Sequence, residues 1–271
     1  MNIDADADTG AAAPPGSDAG PTPPRSAWTR PQRRQKEQLT RERIVAEAVR
    51  LLDEEGLEAL SMRTLGQRLG AGATSLYRHV ASKDELIELV ADAVYAEMEI
   101  PEISDPASWR LALHAVAHTL RAAGLRHMWL GQVLGQVGMT YVGPNVVDVT
   151  SRSLAILTTA GFSMEEATRA MGAVSSYVLG ATTAESGWLS ALRRNGYEEK
   201  DWLNIIGPTI VESAADAGLQ EFYLEQLKRN PEEVRLENFT YGLDLLLDSL
   251  QYRLSARLAD AEHQKPEKVR Q

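Results

Sequence analysis

The chain has 271 residues, 44% of them apolar, a net charge of −10 and no cysteine. That length allows one large or two moderate domains with a sizeable core, and the missing cysteine excludes disulfides, thiol catalysis and cysteine-based zinc sites, as suits a reducing cytoplasm. No apolar run approaches the ~20 residues of a membrane-spanning helix, and the N-terminus has acids where a secretory signal has a basic start and an apolar core, so a cytoplasmic protein is expected.

Residues 1–24 contain little to bury and carry −4. They read as a disordered tail. Residues 25–83 carry +5 and residues 84–271 carry −11. A basic segment on an acidic body suits a DNA-binding head on a body that repels DNA; the alternative is a chance cluster of solvated charges. Arg30, Arg33 and Arg34 lie in a stretch without apolar periodicity that reads as a DNA-contacting arm or as an ordinary linker.

A first helix is expected from Thr40 to about Glu55. Thr40 is its cap, Ile44, Val45, Ala48, Leu51 and Leu52 form one apolar face, and Gly56 is the stop. A second opens at Ser61 and runs to about Leu69. Gly70-Ala71-Gly72 make a turn, and a short third helix follows from Ala73 to about Val80, with Leu76 and Val80 inward. That is a helix-turn-helix, whose second helix enters the major groove of DNA. Ser82-Lys83-Asp84-Glu85 reads as a capping box opening a fourth helix to about Met98.

The rest is expected to be helical. Asp105-Pro106 opens a helix to about Ala123. Residues 125–137 form a glycine-weakened, broken segment. A helix covers Val146 to Ala160, and a second capping box at Ser163 opens another to about Ser186. Residues 187–200 read as a mobile loop, 202–229 as one or two short helices, and Asn230-Pro231 opens a helix to about Leu258. The fold class is therefore all-α: a three-helix DNA-binding domain (39–83) behind a tail and arm (1–38), joined by the fourth helix to a larger helical ligand-binding and dimerisation domain (84–260), with a frayed tail (261–271).

Between Leu39 and Met98 the chain resembles the tetracycline-repressor (TetR) family. The residues that carry the likeness are Leu60-Ser61-Met62-Arg63, Leu65, Leu69-Gly70 and Leu76-Tyr77-x-His79-Val80-x-x-Lys83-x-x-Leu86. Ala173–Gly180 and Phe239–Leu243 are similar to the two dimerising helices of members whose effector domain is like that of the tetracycline repressor. The resemblance implies a homodimer through helices near 163–186 and 231–258, a palindromic operator, and release from DNA by a small molecule, such as an antibiotic or a biosynthetic intermediate. An activator, or a ligand-independent regulator of the same fold, is the alternative.

The expected DNA contacts follow. Arg63 matches a family position that often reads a base and has the fork to bind guanine; a phosphate contact is the alternative. Ala73 and Thr74 suit thymine methyls, and Ser75 is partly inward. Tyr77 and His79 match positions that hold phosphates, though His79 also suits packing. Arg78 stands where some relatives have an aromatic and suits either contact. Ser61 caps a helix, and Lys83 sits at a helix N-terminus. For the effector, His114, His118, Trp129, Gln132, Gln136, Met139, Asn145, Tyr177, Glu185 and Trp188 are candidate liners, a mixture that suits a large, partly polar, ring-containing molecule. No metal or other cofactor is expected. The residues between His114 and His118 lack the acidic base of a metalloprotease, and the chain has neither a phosphate loop nor a nucleophile elbow. No enzyme is expected.

Overall fold

A computed structural model describes residues 38–137 and 143–263. All regular structure among them is helical. Helix α1 (Arg41–Glu55) opens at Thr40, whose hydroxyl accepts from Arg43 N, and stops at Gly56 with φ 81°. Ile44, Ala48, Leu51 and Leu52 share its buried face. Helix α2 (Met62–Arg68) is capped by the Ser61 hydroxyl, which accepts from Thr64 N at 3.0 Å. The turn after it is tight. A Cβ on Gly66 would stand 2.8 Å from the Ala71 carbonyl oxygen, and Gly70 adopts φ 61°, so only glycine fits either place without strain.

Helix α3 (Ala73–Leu76) is shorter than expected. The N–H groups of His79 and Val80 both donate to the Leu76 carbonyl, so the chain tightens before Val80. Leu76 and Val80 are nonetheless both fully buried. Helix α4 (Lys83–Tyr95) is capped by Ser82, which accepts from Glu85 N. The expected capping box is displaced by one residue: the Glu85 carboxylate accepts from Ala81 N and pairs with Arg41.

The core of the head is not closed by α1–α4 alone. Trp129, Leu130 and Val133 pack into the cluster of Leu51, Leu65 and Val90. The first of these precedes α6 (Leu130–Val137) and the others lie on it; α5 (Trp109–Arg126) comes before. The expected break falls between α5 and α6, where His127 Nδ1 and Trp129 Nε1 both lie 2.7 Å from Asp53 Oδ1.

Helix α7 (Pro144–Thr159) takes its cap from another helix. Asp92, on α4, accepts from the backbone N–H of Asn145 and Val146 and from the Asn145 amide. Helix α8 (Met164–Arg194) starts at the expected capping box of Ser163 and Glu166 but does not end at Ser186. It runs eight residues further and removes most of the expected loop at 187–200. Burial of Leu192 and bonding by Trp188 offset the low helix propensity of Gly187. Residues 199–228 form two helices, α9 (Glu199–Glu212) and α10 (Ala217–Lys228). Helix α11 (Pro231–His263) is longer than expected and takes in the first residues of the expected frayed tail. The core of the body joins Trp109, Leu113, Leu157, Val178, Phe239 and Leu243.

Candidate nucleic-acid interface and effector cavity

In the head, arginines on the same short helix have different tasks. Arg68 reaches three carboxylates on α1: Glu47 at 2.6 Å, Glu54 at 2.7 Å and Glu55 at 3.0 Å. The hydrogen bonds to Glu47 and then Glu54 raise its pKa well above the usual guanidinium value. This arginine ties α2 to α1. Arg63, Arg78 and Lys83 are exposed and form no ion pair among the described residues, so they are free to meet an outside anion. Thr74, Tyr77 and His79 are exposed beside them, while Ser61, Ala73 and Ser75 are half-buried. The Ser61 hydroxyl is used within the chain, as the α2 cap and in a 2.8 Å bond to the Thr64 hydroxyl. Arg30, Arg33 and Arg34 lie outside the described residues.

In the body, a polar ladder crosses four helices. Arg121 on α5 grips Glu185 on α8 in a two-pronged pair, at 2.9 and 2.6 Å. Arg235 on α11 donates to the same carboxylate at 2.8 Å and also pairs with Glu199, the first residue of α9. The Trp188 indole N–H donates to Glu199 at 2.8 Å. Burial pulls the Arg235 pKa down, but its bonds to Glu199 and Glu185 outweigh that and leave it raised.

Two cavities meet at this ladder. One, of about 720 Å³, is lined largely by charged side chains. The other, of about 440 Å³, is lined by Tyr177, Trp188, Leu203 and Phe239. Glu185, Glu199 and Arg235 line both. Arg121 also stands over the Phe239 ring, 5.2 Å from its centroid. His118 meets the same ring edge-on, and His114 lies against His118. Burial pushes the His118 imidazole below its usual value, helped by His114 and Arg121, and its Nε2 has no hydrogen-bond partner among the described residues. Tyr177 donates to the Phe239 carbonyl at 2.8 Å, and burial raises its phenol pKa.

The structure thus brings Tyr177, Glu185 and Trp188 together at one cavity, with His114 and His118 behind its Phe239 wall. Three expected liners sit elsewhere. Trp129 is buried against the head and spends its N–H on Asp53. Asn145 is held by Asp92. Gln132 points to solvent. Met139 lies outside the described residues, as does the side chain of Gln136. Arg121, Glu199, Arg235 and Phe239 were not anticipated. A signal for Arg121 was present: with His114 and His118 it occupies positions i, i+4 and i+7 of α5, and so shares one face.

A helix-turn-helix with free cations on its outer side, set on a helical body, defines a transcriptional regulator. Comparison with known proteins narrows the class. The family description "Bacterial regulatory proteins, tetR family" matches residues 44–90, and "Tetracyclin repressor-like, C-terminal domain" matches residues 101–206. An HTH-type transcriptional regulator of Saccharopolyspora erythraea is 41% identical, over 61% of this chain and 70% of its own length. The HTH-type transcriptional repressor DrrR1 of Streptomyces coeruleorubidus is 32% identical, over 86% of this chain and 84% of its own. The structure of ActR from Streptomyces coelicolor in complex with actinorhodin superposes with a TM-score of 0.64 at 28% identity, over 79% of this chain and 96% of that one. The chain belongs to the TetR family of transcriptional regulators.

Proposed function

We propose that the chain is a repressor that binds a palindromic operator as a homodimer and leaves it when a small molecule occupies the body. The observation that carries this reading is the packing of α6, a body helix, into the core of the DNA-reading head. A ligand that displaces the body helices must disturb the seat of the recognition helix. By linkage, a ligand that prefers the off-DNA arrangement weakens DNA binding. The likeness to a named repressor and to a regulator with actinorhodin bound supports both halves of the reading. On this reading the head is residues 39–83 and the body 84–260, and Arg63, Thr74, Tyr77, Arg78, His79 and Lys83 meet DNA. Arg30, Arg33 and Arg34 add contacts from the arm.

The dimer face is α8 with α11. Tyr241, Leu245 and Tyr252 are 69%, 53% and 77% exposed on α11, and Gly172 and Gly180 of α8 have open space where a side chain would be. Such a pair of helices accepts a second copy at close range. It would set two recognition helices ~34–36 Å apart, one turn of DNA.

The test is a mobility-shift titration on DNA from upstream of the chain's own gene, with sedimentation to count protomers. Two protomers per operator, and weaker binding when a ligand fills the body cavity, are expected. A monomer bound to one half-site, or an operator complex indifferent to cavity occupancy, overturns the proposal.

A further inference from the structure

We propose that the body cavity selects an anionic aromatic molecule, whose acidic group displaces Glu199 from Arg235 and from the Trp188 indole. This rests on the reading of that cavity as the effector site and names the chemistry of its ligand.

The argument begins with the unequal hold on the two glutamates. Glu185 is buried from both sides by Arg121 and Arg235 and accepts three hydrogen bonds. It is a fixed part of the wall. Glu199 is held by one guanidinium and one indole. Its side chain is 17% exposed against 9% for Glu185, and it sits at the first residue of α9. It is therefore the replaceable carboxylate.

Exchange keeps the charge balanced. Arg121 and Arg235 bring two positive charges to the ladder, and Glu185 supplies one negative charge. A ligand acid in place of Glu199 supplies the second, so no guanidinium is left buried and unpaired, which is the costly outcome. A neutral ligand that pushed Glu199 aside would leave Arg235 short of one partner.

The surroundings favour the same class. The larger cavity is lined by Arg121, Arg193, Lys200, Lys228, Arg229 and Arg235 against four glutamates. Lys228 and Arg229 are paired outside the lining, with Glu225 and Glu237, so the charges are balanced and an added acid is accommodated by exchange with Glu199 rather than by a surplus of cations. Across the ladder, Trp188, Tyr177 and Phe239 offer ring faces and edges to an aromatic body. The acid end of a ligand would lie at Arg235 and its rings beside those three. The displaced Glu199 would free the start of α9 from both α8 and α11.

The test uses a matched pair of fluorescent probes on the full chain: 8-anilinonaphthalene-1-sulfonate, which is anionic, and N-phenyl-1-naphthylamine, the same skeleton without the sulfonate. The wild type should bind the sulfonate at least roughly tenfold more tightly than the amine. Glu199→Gln removes the competing charge and should tighten sulfonate binding several-fold, with the amine unchanged. Arg235→Gln should abolish the preference. A loosened fold exposes apolar surface to both probes alike, so a gain for the sulfonate with the amine unchanged is not expected of a residue that merely holds the fold together, and this variant decides the matter even if Arg235→Gln folds poorly. Equal binding of the two probes by the wild type, or unchanged or weaker sulfonate binding in Glu199→Gln, overturns the proposal. Operator binding is measured alongside. Loss of charge discrimination with intact operator binding overturns the anion site alone. Intact discrimination without operator binding overturns the regulator reading and leaves the anion site standing.

Discussion

The head and the body both spend arginines on carboxylates, but they spend them in opposite directions. In the head, Arg68 satisfies Glu47, Glu54 and Glu55, which leaves Arg63, Arg78 and Lys83 facing outward. In the body, Arg121 and Arg235 turn inward onto Glu185 and Glu199 and form the wall of a cavity. The head ties its helices together through Arg68 with α1 and through Arg41 with Glu85, and on the proposed reading keeps Arg63, Arg78 and Lys83 for DNA. The body satisfies Arg121 and Arg235 with internal acids, one of which, on the inference above, an incoming acid replaces. On the proposed function, charge placed outward serves affinity and charge placed inward serves release.

Four substitutions probe that contrast. The largest effect should come from Glu185→Ala, which leaves the buried Arg121 guanidinium without its carboxylate and takes one of two from Arg235. It should cost about 3–5 kcal/mol of stability, read as a fall in thermal midpoint of roughly 10 °C, with operator affinity per folded molecule little changed. Equal stability would mean that the ladder is dispensable. Arg63→Ala should do the reverse: an operator affinity lower by about 1–3 kcal/mol with an unchanged melting curve. If it melts early instead, the outward arginine is structural and the contrast fails. Ser61→Ala removes the α2 cap and should cost about 1 kcal/mol of stability, a loss seen in urea unfolding. Lys83→Gln should have the smallest effect. It should weaken binding to every sequence alike and reduce the salt slope by about 1; a sequence-dependent loss would make Lys83 a base reader.

The two regions also differ in how far they could be read in advance. The head was legible because its parts are consecutive. Caps at Thr40, Ser61 and Ser82, glycines at 56 and 70, and Leu65, Leu76 and Val80 at helical spacing fix its helices within about forty residues. The end of α3 was misplaced because the chain tightens onto the Leu76 carbonyl, which spacing does not show. The body site was only partly legible. Tyr177, Glu185 and Trp188 share one face of α8, but their partners come from positions 121, 199, 235 and 239 on three other helices. No local pattern joins such positions. The loop expected at 187–200 is helical as far as Arg194 because tertiary contacts of Trp188 and Leu192 override a weak local pattern. Trp129 and Asn145 misled for a related reason. Both are polar-tipped residues that meet their partners, Asp53 and Asp92, across more than fifty positions of sequence.

The last of these ties has a consequence for the proposed response to a ligand. Asp92 closes the first turn of α7 with three hydrogen bonds of 2.9, 2.7 and 3.2 Å, although it belongs to the helix that follows the recognition helix. Bonds of that length stretch by only a few tenths of an ångström before they are lost. Helices α4 and α7 are therefore tied at this point for as long as those bonds hold. On the proposed function, a ligand that moves α7 either carries along α4, the helix that follows the recognition helix, or breaks these three bonds.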